Sequence, residues 1–406
     1  MNKKIIILAL VILLFIGGGL FFFFNRPSSS TTPAGQTNGN PFGESWNGSA
    51  TNNAEQANTG NQGQLTTTRI DSGAVISKIF SGPVAGFTFI ETGSTTIVRL
   101  VERGAGKLDD IDLKNPTDVF QKVSTDTQSR IVSAYFLNQG KDLIRFREGD
   151  YGNVDALYSS LSATSTSAQS RPIAGVILSF TPNYTATKGI FITQSDSGSV
   201  VSLANADTGS AKRIWSTALQ DITAQGLNKD IVAVQNKPAV GLYGSSFLIT
   251  NSIPVFYLDG NSGFKVNIGP DTNFAVFSDY TNTDSPIQIF DKVLNKKWNL
   301  FIPTVPEKCV WSKIHPEIVY CFEYKGQFSN LPDDWYLGKV FLDTGKLWKI
   351  SAKTSQESVL ADFAPVSEKI DVTRPTLSSD EKTITFINKR DGALWTIDLN
   401  SVKPAF

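Results

Sequence analysis

Apolar and polar positions divide the chain into three regimes. From Ile5 to Phe24 the residues form an unbroken run of 20, uncharged and apolar apart from glycine. As a helix such a run spans about 30 Å, the thickness of a bilayer's hydrocarbon core. From 27 to 69 periodicity disappears: Ser, Thr, Asn, Gly and Gln dominate, and Glu44, Glu55 and Arg69 are the charges. That composition cannot bury enough apolar surface to offset its chain entropy and predicts a flexible linker. From 70 to 406 short apolar runs rich in Ile, Val and Phe alternate with Gly, Asn, Asp and Ser turns, the pattern of short β-strands, with no amphipathic helical window. The expected organisation is a transmembrane anchor at 1–26, a linker at 27–69 and an all-β domain at 70–406.

The strands repeat. The last unit, "IDVTRPTLSSDEKTITFINKRDGALWTIDL", has a strand, a tight turn, a second apolar strand, another turn and a third strand. Taking the first turn of each unit as marker gives Thr92, Gln139, Pro182, Asn228, Pro270, His315 and Ser379, at intervals of 47, 43, 46, 42, 45 and 64. A period near 44 matches a four-stranded β-propeller blade, roughly 40–50 residues. The expectation is seven blades, with six or eight as alternatives. The last unit ends without a fourth strand, whereas "GAVISKIF", 73–80, is a spare strand ahead of the first unit. If it completes the last blade, the ring closes without a long open edge.

The repeat, with "TLSSDEKTITF" followed by "LWTIDL", resembles the TolB- and WD40-like propeller repeats of bacterial envelope proteins, although the W-D dipeptide is absent. Within 308–350, "KCVWSK", "YCFEY", "LPDDWYLGKV" and "LWKI" resemble motifs of an uncharacterised family of membrane-anchored propellers from candidate-phyla bacteria. That resemblance implies fold and location, not chemistry.

Charge agrees with an envelope protein. Lys3 and Lys4 precede the apolar run and Arg26 alone follows it, so the positive-inside rule places the N-terminus in the cytoplasm and the propeller outside. A cleaved signal peptide is the rival; its apolar region is usually about 7–15 residues with a small-residue cleavage site, and no such site is evident. The 37 basic and 37 acidic residues cancel, which argues against nucleic acid as a partner. The expected partners are the membrane through residues 5–24 and an envelope protein or surface polymer.

The two cysteines, Cys309 and Cys321, flank the single histidine, His315, in "CVWSKIHPEIVYC". In a symmetrical hairpin turning at His315 they lie directly opposite, close enough for a disulfide after small adjustment. Two buried free thiols are the alternative. His315 would sit six residues away at the turn, about 20 Å distant, too far to share a metal with them. The long sixth interval carries an insertion, "QFSNLPDDWYLGKV", in which Asp333, Asp334, Trp335 and Tyr336 are candidate binding residues. Equally, the Trp would pack on the propeller while the carboxylates cap a turn.

No nucleophile elbow, phosphate loop or dinucleotide motif occurs, and "DYTNTD" (Asp279 to Asp284) lacks the order of a calcium loop. No metal or cofactor is expected, and the main expectation is a binding platform that is not an enzyme. The alternative is a glycan hydrolase or lyase. It requires acidic residues that meet at the propeller's channel mouth, and a channel lined by Ser, Thr and apolar groups alone would remove it.

Overall fold

The computed structural model describes residues 67–69 and 73–402, apart from 93–94, 115–120, 125–126, 150–153, 162–169, 174, 206–210, 228–230, 281–286 and 401. The chain divides into two units, Met1–Asn38 and Gly39–Phe406, and all described residues belong to the second. The apolar run Ile5–Phe24 and nearly all of the expected linker lie outside the described residues. Among the described residues no helix is long and apolar enough to cross a membrane.

Seven antiparallel sheets form a seven-bladed propeller. Blade 1 runs from strand Val84–Thr92 to strand Gln121–Ser124, and blade 2 from Ile131–Leu137 to Ser170–Ile173. Blade 3 runs from Ile177–Pro182 to Ala211–Thr217, blade 4 from Ile222–Gly226 to Ile253–Gly260, and blade 5 from Lys265–Ile268 to Lys296–Asn299. Blade 6 runs from Cys309–Trp311 to Glu357–Asp362, and blade 7 holds Val372–Leu377, Thr383–Asn388 and Leu394–Asp398. The fourth strand of blade 7 is Val75–Phe80, paired antiparallel to Leu394–Asp398 with Val75 opposite Asp398 and Ile76 opposite Ile397. The expected closure is therefore present. Thr67–Arg69 adds a fifth strand on Val75–Phe80, inside the stretch expected to be linker.

The burial pattern explains why the middle strands read as continuous apolar runs. Every residue of Phe274–Ser278 is buried, as are four of five in Leu394–Asp398, because both faces of a blade pack on neighbours. Outer strands such as Lys296–Asn299 are mostly exposed and correspondingly polar. Each blade–blade interface has its own hydrophobic cluster. Phe322, Leu347, Phe386 and Trp395 join blades 6 and 7, whereas Ile79, Val84, Leu100 and Leu394 join blade 7 to blade 1 across the closure.

First strands of successive blades touch around the axis, including those of blades 1 and 2, 2 and 3, and 3 and 4. The approach is closest at Gly86, where a Cβ would lie 2.0 Å from the Ala134 carbonyl oxygen. Only glycine fits there. Strand alternation sets the two ends of the ring. Connections between strands 1 and 2 and between 3 and 4 share one end, the turn face. Those between strands 2 and 3 and between successive blades share the other, the loop face. The described markers of the sequence repeat fall on first-to-second-strand connections; Asn228 lies outside the described residues.

Candidate functional site at the loop-face channel mouth

Cys309 pairs directly with Cys321 in the register of blade 6, and the two form a disulfide. It is buried in the cluster between blades 5 and 6, beside Val319 and Ile350. His315 is exposed in the turn, at the opposite end of the ring from the loop-face mouth.

The insertion occupies 325–343, between the second and third strands of blade 6, and so lies on the loop face. Residues Asp333–Tyr336 form one helical turn, α1, where the sequence pattern predicts only a turn. The four candidate residues are not one exposed patch. Trp335 is 2% exposed and packs on Val305, Tyr324, Leu331 and Leu342. Its Nε1 donates to Asp371 Oδ2 over 2.9 Å. Asp334 accepts from Asn330 Nδ2 at 2.9 Å and from Lys339 Nζ at 3.3 Å, which holds its carboxyl below the usual range. Asp333 accepts the Val240 N–H at 3.1 Å, fastening α1 to blade 4. Tyr336 reaches the segment ahead of the first strand of blade 6: its hydroxyl donates to Glu307.

A buried ion pair fixes the insertion to the ring. Lys308 and Asp371 are both fully buried and bonded to each other. Lys308 Nζ also donates to the carbonyls of Leu342 (3.1 Å) and Val372 (2.9 Å), and Asp371 Oδ2 accepts the Leu342 N–H at 3.0 Å. Burial pulls the Lys308 pKa down, and Asp371 opposes that shift. With every strong donor and acceptor occupied, the pair is a structural clamp.

Beside it lies a group with unused capacity. Lys265 opens the first strand of blade 5 and is half-buried in the wall of the channel. Its ammonium has no hydrogen bond or ion pair with a described residue, and burial lowers its pKa despite the nearby Glu307 charge. Glu307 sits in the 3-10 turn Pro306–Lys308, immediately ahead of the first strand of blade 6. Burial and the same carboxylate push the Tyr336 and Tyr280 hydroxyls well above the ordinary phenol range. The Tyr280 hydroxyl is buried and has no hydrogen-bond partner among the described residues.

A second cation crosses the axis. Arg374, at φ 52° on the first strand of blade 7, donates to the carbonyls of Ala85 at 2.9 Å and Ala134 at 3.1 Å in blades 1 and 2. Its guanidinium lies 4.6 Å from the Tyr135 ring centroid and pairs with no carboxylate among the described residues. The channel thus carries two basic side chains that form no ion pair with a described residue, and a carboxylate–phenol pair, not a lining of Ser, Thr and apolar groups alone. Among the described residues the expected convergence of free carboxylates is not formed. Asp371 is engaged by Lys308 and Trp335, Asp333 by Val240, and Glu307 by Tyr336. Lys265, Glu307, Tyr280 and Arg374 were not legible as site residues. The one available signal was a charge inside an apolar strand, as in "FKVNIG" and "VTRPTL".

No family model and no curated protein matches the chain. The resemblance to the candidate-phyla family therefore gains no support. Among solved structures, an oligogalacturonate lyase in complex with manganese superposes with TM-score 0.54 at 14% identity, over 84% of this chain and 97% of that one. The oligogalacturonate lyase of Vibrio parahaemolyticus gives TM-score 0.53 at 10% identity, over 84% of this chain and 98% of that one. These neighbours are enzymes, which corrects the expectation of a non-enzyme; at such identity the likeness itself is one of fold. The donor set of the described residues does not fit manganese. Among the described residues no three His, Cys, Asp or Glu side chains converge, both cysteines are in the disulfide, and the lone histidine is on the turn face. The described chain is a seven-bladed β-propeller similar in fold to oligogalacturonate lyases.

Proposed function

We propose that this propeller is a glycan-active protein of the lyase type that receives an acidic, uronate-bearing polysaccharide at its loop-face channel mouth. The observation that carries the reading is Lys265, an amine in the channel wall with no partner among the described residues, whose pKa is lowered by burial. A uronate lyase needs a base to take the proton next to the carboxylate, a positive field to stabilise the charge that develops there, and a donor for the departing oxygen. Lys265, whose charged form is disfavoured by burial, is the base. Arg374 adds positive potential along the channel. Once it has taken that proton, Lys265 is the donor to the departing oxygen, while the Tyr336 hydroxyl holds the Glu307 carboxylate. The C–H bond breaks, a carbon–carbon double bond forms, the glycosidic C–O bond breaks, and the leaving oxygen takes a proton. No oxidant is required.

The test uses the full-length protein with polygalacturonate and alginate, and with dextran as neutral control. Formation of unsaturated uronyl product is followed by ultraviolet absorbance. Lys265→Met is expected to lower the rate by about 10²–10⁴-fold while leaving thermal unfolding unchanged. Retention of the polymers without any double-bond formation, or full activity in Lys265→Met, would sink the lyase reading. The apolar run Ile5–Phe24 supports a further part of the proposal, that the propeller is carried at a membrane surface. Alkaline extraction of membranes should leave the full chain bound and release a chain lacking residues 1–26.

A further inference from the structure

A second candidate site lies away from the channel, between blades 2 and 3. A cavity of about 250 Å³ is floored by Leu137, Ile144, Ile177 and Phe191 and rimmed by Arg171 and Asn205. Among the described residues that line it, Arg171 is the single charged side chain. Arg171 is exposed on the outer strand of blade 2, directly opposite Tyr158 in the register. Its guanidinium stacks 4.5 Å from the Tyr158 ring centroid. It makes no hydrogen bond or ion pair with any described residue.

The stack is held from below. Tyr158 donates its hydroxyl to Asp142 Oδ1 at 2.7 Å, and Asp142 Oδ2 accepts from Asn138 Nδ2. Both oxygens of Asp142 are therefore occupied, and it forms no ion pair with Arg171. The guanidinium thus rests against the ring while its N–H groups have no partner among the described residues. Their planar fork matches a carboxylate, which takes two parallel hydrogen bonds from it. The apolar floor supplies burial for the rest of such a molecule. We infer that this cavity binds a compact amphipathic monocarboxylate, an aryl or branched acyl acid, with its carboxylate on Arg171 and its apolar body on Phe191 and Ile144.

Benzoate is the probe and benzamide its neutral match, titrated into the full-length protein by calorimetry. Saturable benzoate binding is expected, with benzamide at least about tenfold weaker. Arg171→Gln should weaken benzoate about tenfold or more and leave benzamide unchanged. Ala211, exposed on the outer strand of blade 3, also lines the cavity, and Ala211→Leu should fill it and abolish binding of both. Both substituted residues are exposed, so thermal unfolding should stay close to wild type. Absence of saturable benzoate binding would overturn the assignment. So would equal affinity for the two probes, or binding indifferent to Arg171→Gln or Ala211→Leu. Uronate turnover at the channel mouth should be unaffected by Arg171→Gln, which separates the two sites.

Discussion

At the residue scale, the carboxyl of Asp109 in blade 1 makes the fold sensitive to pH. Burial, reinforced by Glu102, pushes it from 3.8 up to about 6. The folded state therefore holds this proton more tightly than the unfolded chain does. Its contribution to stability is fully present below pH 3.8 and is lost as pH rises through about 6. Asp109→Asn keeps the shape and removes the ionisation. It should stabilise the propeller at pH 7 by on the order of 1–2 kcal/mol and flatten the dependence between pH 4 and 6, read from denaturant midpoints across that range. A midpoint at pH 7 no higher than wild type would show that the charged form is well accommodated. Trp335 illustrates the same scale differently. Its sequence neighbours suggest exposed binding surface, yet its indole N–H is claimed by Asp371, which precedes the first strand of the next blade.

At the scale of elements, the first hairpin of blade 6 shows how register follows from spacing. Equal distances from His315 place Cys309 opposite Cys321, with Val310 opposite Tyr320 and Trp311 opposite Val319. The disulfide closes a separation of 12 residues and restricts the unfolded chain, which corresponds to roughly 2–3 kcal/mol. Reduction of the wild type should lower its denaturant midpoint accordingly. A Cys309→Ala, Cys321→Ala variant should be indifferent to reductant. A wild type whose midpoint does not move on reduction would refute the contribution. The insertion at 325–343 was legible as an excess of length, and its candidate residues by type. Their roles were not legible, because α1 is fixed by Val240 in blade 4 and Asp371 beside blade 7, both far away in sequence.

For the whole molecule, ring closure rests on Val75–Phe80. Without it, strand Leu394–Asp398 would expose an unpaired edge together with Ile397 and Trp395, and the cluster between blades 7 and 1 would lose Ile79. Deleting residues 1–80 should abolish a cooperative thermal transition, whereas deleting 1–66 should preserve it. Equal melting curves for the two truncations would show that the ring does not depend on this strand. Such a closed ring buries seven similar interfaces, each with its own cluster, so the likeness to lyase structures at 10–14% identity reflects a shared solution to packing.

What the sequence by itself determined was everything local or periodic. The unit length gave the blade, the turn residues gave the seven markers, the spare strand at 73–80 gave closure, and the spacing about His315 gave the cysteine pairing. Alternation and turn chemistry act over a few residues, and a repeat multiplies their signal. The tertiary structure alone decided the site. Lys265, Glu307 and Tyr336 come from three segments that meet only because the ring places their ends at one mouth. Arg374 crosses from blade 7 to blades 1 and 2 only once the ring has closed. Their pKa shifts and unfilled hydrogen-bonding capacity arise from burial and from charges distant in sequence, quantities that no spacing along the chain encodes.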